Sequence, residues 1–109
     1  MELQMNSEIK GRTLTIRAIG KLNTTTSPEL EARINDEFRS TLPLDTLILD
    51  LSELSYISSA GLRVLMSVHK TIAKQRYGTR SFIIQNPSQF CVQVFETVGV
   101  DTLFNIRNT

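Results

Sequence analysis

Two adjacent hydroxyls, Ser58 and Ser59, stand where a strand gives way to a helix. The segment before them, Thr46-Leu47-Ile48-Leu49-Asp50-Leu51, is almost continuously apolar, as a parallel strand covered on both faces would be. An apolar helical pattern begins soon after, so Ser59 is expected at or next to the first turn of a helix. A hydroxyl there has two chemistries open to it. It can cap the helix by accepting from an early backbone N–H. It can also take a phosphoryl group, which brings about −1.5 to −2 charges and strong acceptor oxygens to the positive end of the helix dipole. The domain would keep its fold, whereas a partner packed on the same turn would meet bulk, charge and desolvation cost. The pattern by itself favours the cap over the switch. Gly61 follows within the first turn, where it costs helix propensity relative to alanine and so points to a close backbone approach.

The remaining reactive residue types form no catalytic set. Ser59 lacks a Gly-x-Ser-x-Gly setting, and the single histidine, His69, lies mid-helix with no aspartate partner and no second ligand at metal spacing. There is no glycine-rich phosphate loop and no Walker-type lysine. Asp50 at a strand end resembles the acceptor of a receiver domain, but Ala18-Ile19-Gly20 supplies no neighbouring acidic cluster for a metal. No enzyme activity, metal or cofactor is expected. The lone Cys91, within Phe90-Cys91-Val92-Gln93-Val94-Phe95, reads as core packing.

Twelve basic residues stand against eleven acidic ones, so no broad field would attract nucleic acid or an anionic membrane, and a protein partner is the better expectation. No apolar run is long enough to span a bilayer, and the polar start Met1-Glu2-Leu3-Gln4-Met5-Asn6 does not resemble a signal peptide. A cytoplasmic protein is expected. A length of 109 residues suits one domain, 1–109, with one core.

The elements that must position the two serines can be read along the chain. Residues 2–9 and the alternating segment Thr13–Ile19 form a hairpin about Lys10-Gly11-Arg12. Ser27 caps and Pro28 opens a first helix over about 28–40, with Leu30, Ile34 and Phe38 on its apolar face, and Pro43 ends it. The strand 46–51 follows. The second helix carries Leu62, Leu65, Met66, His69, Ile72 and Ala73 inward, with Lys70, Lys74 and Arg76 near its end and Gly78 as C-cap. Next come a short strand 81–85, the breaker Asn86-Pro87, a third helix on Phe90, Val94, Phe95 and Val98 stopped near Gly99, and an edge strand at 103–106. This is an α/β layout with a partly parallel sheet, in which strands 46–51 and 81–85 lie near each other. Asn86, Ser52, Ser58 and Ser59 then fall on the edge where ligands and partners of such sheets bind.

With these elements in place the chain resembles a stand-alone STAS domain of the anti-sigma factor antagonist family. The likeness covers nearly the whole length and rests on Gly20-Lys21-Leu22-Asn23, Leu49-Asp50-Leu51-Ser52, Tyr56-Ile57-Ser58-Ser59-Ala60-Gly61-Leu62, and Val98-Gly99-Val100 followed by Leu103-Phe104. The resemblance implies a mixed sheet of four to five strands with an N-terminal β-hairpin and three to four helices. It further implies a partner, an anti-sigma factor with serine kinase activity, that the domain binds to free a sigma factor. The kinase would phosphorylate Ser59 and end that binding, a phosphatase would restore it, and Ser58 is a second candidate acceptor. The family's frequent aspartate before the acceptor falls on Ser58, and Asn23 stands where another aspartate is common. The implied binding surface gathers Asn23, Thr24, Thr25 and Ser52 with Ser58, Ser59, Ala60, Gly61 and Arg63. A monomer is expected, with a dimer the alternative. The rival reading is a module of the same fold in a signalling assembly that phosphorylation does not regulate.

Overall fold

The computed structural model describes residues 2–38, 43–73 and 81–109. These form β1 (Leu3–Lys10), β2 (Thr13–Leu22), α1 (Ser27–Phe38), β3 (Thr46–Asp50), β4 (Leu54–Ile57), α2 (Ser59–Ala73), β5 (Ser81–Gln85), α3 (Gln89–Val98) and β6 (Asn105–Arg107). The sheet runs β1-β2-β3-β5-β6, with β1 antiparallel to β2 and the other pairs parallel. β3 and β4 share one flank of β2. β3 pairs along Thr13–Arg17, and β4 takes over from Gly20 to Leu22 with a register shift between Gly20 and Lys21.

Alternation sets the faces. Leu14, Ile16 and Ala18 of β2 are buried with their register partners Leu47 and Leu49 of β3 and with Phe82 and Ile84 of β5. Onto that face the helices deliver Leu30 and Ile34 from α1, Leu65, Val68 and Ile72 from α2, and Cys91 and Phe95 from α3, forming one cluster. Each such side chain contributes about 1.5–3 kcal/mol on burial. The opposite face, with Thr15, Arg17, Ile48 and Ile83, is half-exposed or exposed. Of its residues only Asp50 is buried, held 3.5 Å from Arg17 and accepting the Ser52 N–H at 2.9 Å.

Several expectations need correction. The sheet has six strands among the described residues, not four or five, because 54–57 is a strand and not part of a serine-rich turn. Leu54 and Ile57 are buried three residues apart, which hides the alternation, and the pairing with β2 makes the strand. Strand β3 ends at Asp50, where the aspartate turns the chain. The head of α1 is held one residue earlier than expected: the Thr26 carbonyl accepts the Leu30 N–H, and Ser27 is already helical. α3 buries Cys91 and Phe95, while Phe90 and Val98 are exposed, since its inward stripe is rotated toward Cys91. Gly99 does close α3, in the left-handed conformation, with its N–H toward the Glu96 and Phe95 carbonyls. The edge strand forms at 105–107, beside β5. The expected continuation of α1 to residue 40, and the roles given to Lys74, Arg76 and Gly78, lie outside the described residues.

Candidate functional site

The site is built where β4 turns into α2. The Ser58 N–H donates to the Leu22 carbonyl at 2.9 Å, which ties the junction to the end of β2. The Ser58 carbonyl then accepts the Leu62 N–H at 2.9 Å, and its hydroxyl oxygen accepts the Gly61 N–H at 3.2 Å. Ser58 is therefore the N-cap of α2. Ser59, the first helical residue, is exposed, and its hydroxyl makes no hydrogen bond among the described residues. The first turn carries no acidic side chain, so the positive end of the dipole is left uncompensated there.

Gly61 explains how α2 reaches this position. A Cβ at that residue would lie 2.9 Å from Ile57 Cγ1 and 3.0 Å from both Leu22 Cγ and the Leu22 carbonyl oxygen. The helix start is pressed directly on the ends of β2 and β4, and only a bare backbone allows that approach. Gly61 itself is buried, Ala60 half-buried and Arg63 exposed.

The neighbouring loop, from β2 into α1, is bonded to itself. Asn23 Oδ1 accepts the Thr25 and Thr26 N–H groups, each at 3.0 Å, and its Nδ2 donates to Glu2 Oε2 at 2.9 Å. Thr26 Oγ1 accepts the Asn23 N–H and donates to the Lys21 carbonyl, both at 2.8 Å. The Ser27 hydroxyl donates to the Asn23 carbonyl. Thr24 and Thr25 remain exposed at the tip. A cleft of about 280 Å³ separates the two helix heads, lined by Thr24, Ser27 and Glu31 on one side and Ala60, Arg63 and Ser67 on the other.

The structure thus brings Thr24 together with Ala60 and Arg63 across one cleft, with Asn23 and Thr25 in the loop on one side and Ser58, Ser59 and Gly61 at the helix head on the other. It does not bring Ser52 to them. Ser52 is exposed on the β3–β4 turn, at the opposite end of β4 from Ser58. Asn86 adopts φ 49° and is tied to the C-terminal segment: its N–H donates to the Arg107 carbonyl, and its side chain bonds Thr109 twice. His69 packs edge-on against Phe104 at 5.9 Å. Cys91 is buried, which pushes its thiol pKa up. Among the described residues no group of three or more His, Cys, Asp and Glu side chains is placed to hold a metal, and no helix is long and apolar enough to cross a membrane.

Two features of the site escaped the sequence reading. The sequence marks Ser58 as a second candidate acceptor, whereas its spacing to Gly61 is that of a cap to the third helical N–H, and the cap is what forms. The second is an exposed aromatic pair, Tyr56 of β4 against Phe90 of α3 with ring centroids 5.5 Å apart, just upstream of the serines. No sequence signal pairs those two residues.

A β-hairpin feeding a parallel sheet, with a serine-capped helix pressed on the ends of β2 and β4, is the architecture of one domain family. Residues 4–109 match the STAS domain family, and the chain belongs to it. SpoIIAA, an anti-sigma factor antagonist, has a similar fold in its unphosphorylated form: TM-score 0.76 at 21% identity, over 98% of this chain and 87% of that one. The phosphorylated form of the Bacillus protein gives 0.72 at 20% identity, over 98% and 90%. An anti-sigma factor antagonist from Mycobacterium paratuberculosis gives 0.76 at 20% identity, over 98% and 86%. At these identities the likeness is one of fold.

Proposed function

We propose that this protein is an anti-sigma factor antagonist, which binds an anti-sigma factor with serine kinase activity through the head of α2 and is released when Ser59 is phosphorylated. The observation that carries the reading is the division of labour between the two serines. Ser58 caps α2 through the Gly61 N–H, and the adjacent Ser59 hydroxyl is exposed and unclaimed among the described residues. A phosphoryl group on Ser59 needs no native hydrogen bond broken, and it meets the positive end of the dipole. Ser58, by contrast, would have to give up the cap to accept one. The similar folds of SpoIIAA in its two phosphorylation states support the reading from the side of the family. Thr24, Ala60 and Arg63 line the cleft at the head of α2; with Thr25 at the loop tip they would form the partner footprint around the serine, and a phosphatase would reset the switch.

The test is a paired capture from host lysate with Ser59→Ala and Ser59→Asp chains as baits, read by mass spectrometry. Retention of an ATP-binding, kinase-fold protein by the alanine bait and its loss from the aspartate bait is the expected result. Equal capture of the same proteins by both would make the domain a constitutive interaction module and remove Ser59 as the switch.

A further inference from the structure

β1 has one neighbour. It pairs with β2 in an unbroken register from Leu3 opposite Gly20 to Lys10 opposite Thr13, and no described strand lies on its other edge. The Lys21 N–H donates to the Glu2 carbonyl at 2.8 Å, which fixes the alternation: the backbone groups of the even-numbered residues face β2, and those of Leu3, Met5, Ser7 and Ile9 face outward. An edge of this length, with neither proline nor bulge, is a template for a further strand.

The sequence of β1 selects which strand fits. Set against a reversed copy of itself about Asn6, the segment places Leu3 opposite Ile9, Met5 opposite Ser7, Gln4 opposite Glu8 and Glu2 opposite Lys10. The outward-facing backbone groups then meet one another, so Leu3 with Ile9 and Met5 with Ser7 exchange N–H···O bonds. Those four side chains all lie on the helix-covered side of the sheet, where Ile9 is left 38% exposed. Opposite charges meet at both ends; in the single chain Lys10 makes an exposed contact with Glu8 at 3.5 Å. Moving the twofold axis to Met5 sets Glu2 on Glu8, and moving it to Ser7 sets Leu3 on Gly11 and Glu2 on Arg12, both in the turn beyond β1. An odd shift would turn the covered face of one copy toward the open face of the other.

We propose that the free edge of β1 is a homodimer interface, with two copies paired antiparallel about a twofold axis at Asn6 so that the sheet runs on through both molecules. The interface uses none of the proposed switch residues, so it stands or falls separately from the role given to Ser59.

Sedimentation of the full chain over a loading series to about 1 mM should show one-copy mass giving way to two-copy mass. Ser7→Pro removes an N–H that β2 does not use, so it should leave circular dichroism unchanged and abolish the dimer. Residues on a twofold, non-hydrogen-bonded position approach to about 4.5 Å between Cα atoms, within disulfide reach. Asn6→Cys should therefore oxidise to a covalent dimer and Glu8→Cys should not, while Lys10→Glu should weaken the dimer and added Glu2→Lys restore it. One-copy mass throughout the series would overturn the proposal, as would cross-linking of Glu8→Cys equal to that of Asn6→Cys. Binding of a foreign strand at an edge that never self-pairs would overturn it in favour of a peptide-docking edge.

Discussion

At the head of α1, the side chains of Asn23, Thr26 and Ser27 all bond to their own backbone; at the head of α2, Ser58 alone does so, and Ser59 beside it does not. Both helices begin with a serine as the first helical residue, and the two heads border one cleft. Ser27 is buried and Ser59 is exposed. A serine at a helix start therefore says little about its use. What decides is what the preceding loop offers the hydroxyl. At α1 the Asn23 carbonyl accepts the Ser27 hydroxyl, whereas at α2 no described group engages that of Ser59, which is left over for other chemistry.

Substitutions that disturb the platform under the α2 head should have the largest effect on stability. Gly61→Ala drives a methyl group against Leu22 and Ile57 and should cost about 1–3 kcal/mol, seen as a Tm lower by roughly 5 °C or more. At the other head, Asn23→Ala leaves the Thr25 and Thr26 N–H groups without their acceptor, at a cost of about 1–3 kcal/mol in a urea titration. Asn23→Asp keeps the acceptor oxygen but turns the exposed donation to Glu2 into a contact of two carboxylates, which Glu2 relieves by swinging into solvent, so it should cost under about 1 kcal/mol. The aspartate common at this position in the resembling family would thus still accept the loop N–H groups.

The two neighbouring serines should separate stability from binding. Ser58→Ala removes the cap and should cost about 1 kcal/mol. Ser59→Ala should stay within about 0.5 kcal/mol of the parent chain by thermal unfolding, since its hydroxyl makes no hydrogen bond among the described residues. If Ser59→Ala destabilises as much as Ser58→Ala, the contrast between the two hydroxyls fails, and the proposed switch loses its structural basis.

How far the sequence carried this picture depended on range. The hairpin, the buried strand 46–51, the strand 81–85 and the C-cap at Gly99 were legible because each is written in a local pattern of alternation, apolar runs or glycine. β4 was not, because Leu54 and Ile57 are spaced as in a turn and only Gly20–Leu22, more than thirty residues upstream, draws them into the sheet. Gly61 advertised a close approach, yet the surfaces it approaches were invisible until β2 and β4 were in place. At the site itself the composition of the serine pair was plain. The assignment of cap to one and exposure to the other followed from the Ser58 N–H bonding the Leu22 carbonyl, a contact between distant segments. Phe90 was read as core because helical spacing cannot say where the inward stripe is centred, and Phe104 and its neighbours draw Phe95 inward instead.

The Tyr56–Phe90 pair makes the site optically addressable without a label. The chain has no tryptophan and two tyrosines, so in a Tyr77→Phe background all indole-free ultraviolet emission comes from one phenol, three residues ahead of Ser59 and resting on an exposed ring. A protein or a charge arriving at the head of α2 changes the water around that phenol, and the intrinsic fluorescence of this single-tyrosine chain becomes a running record of occupancy.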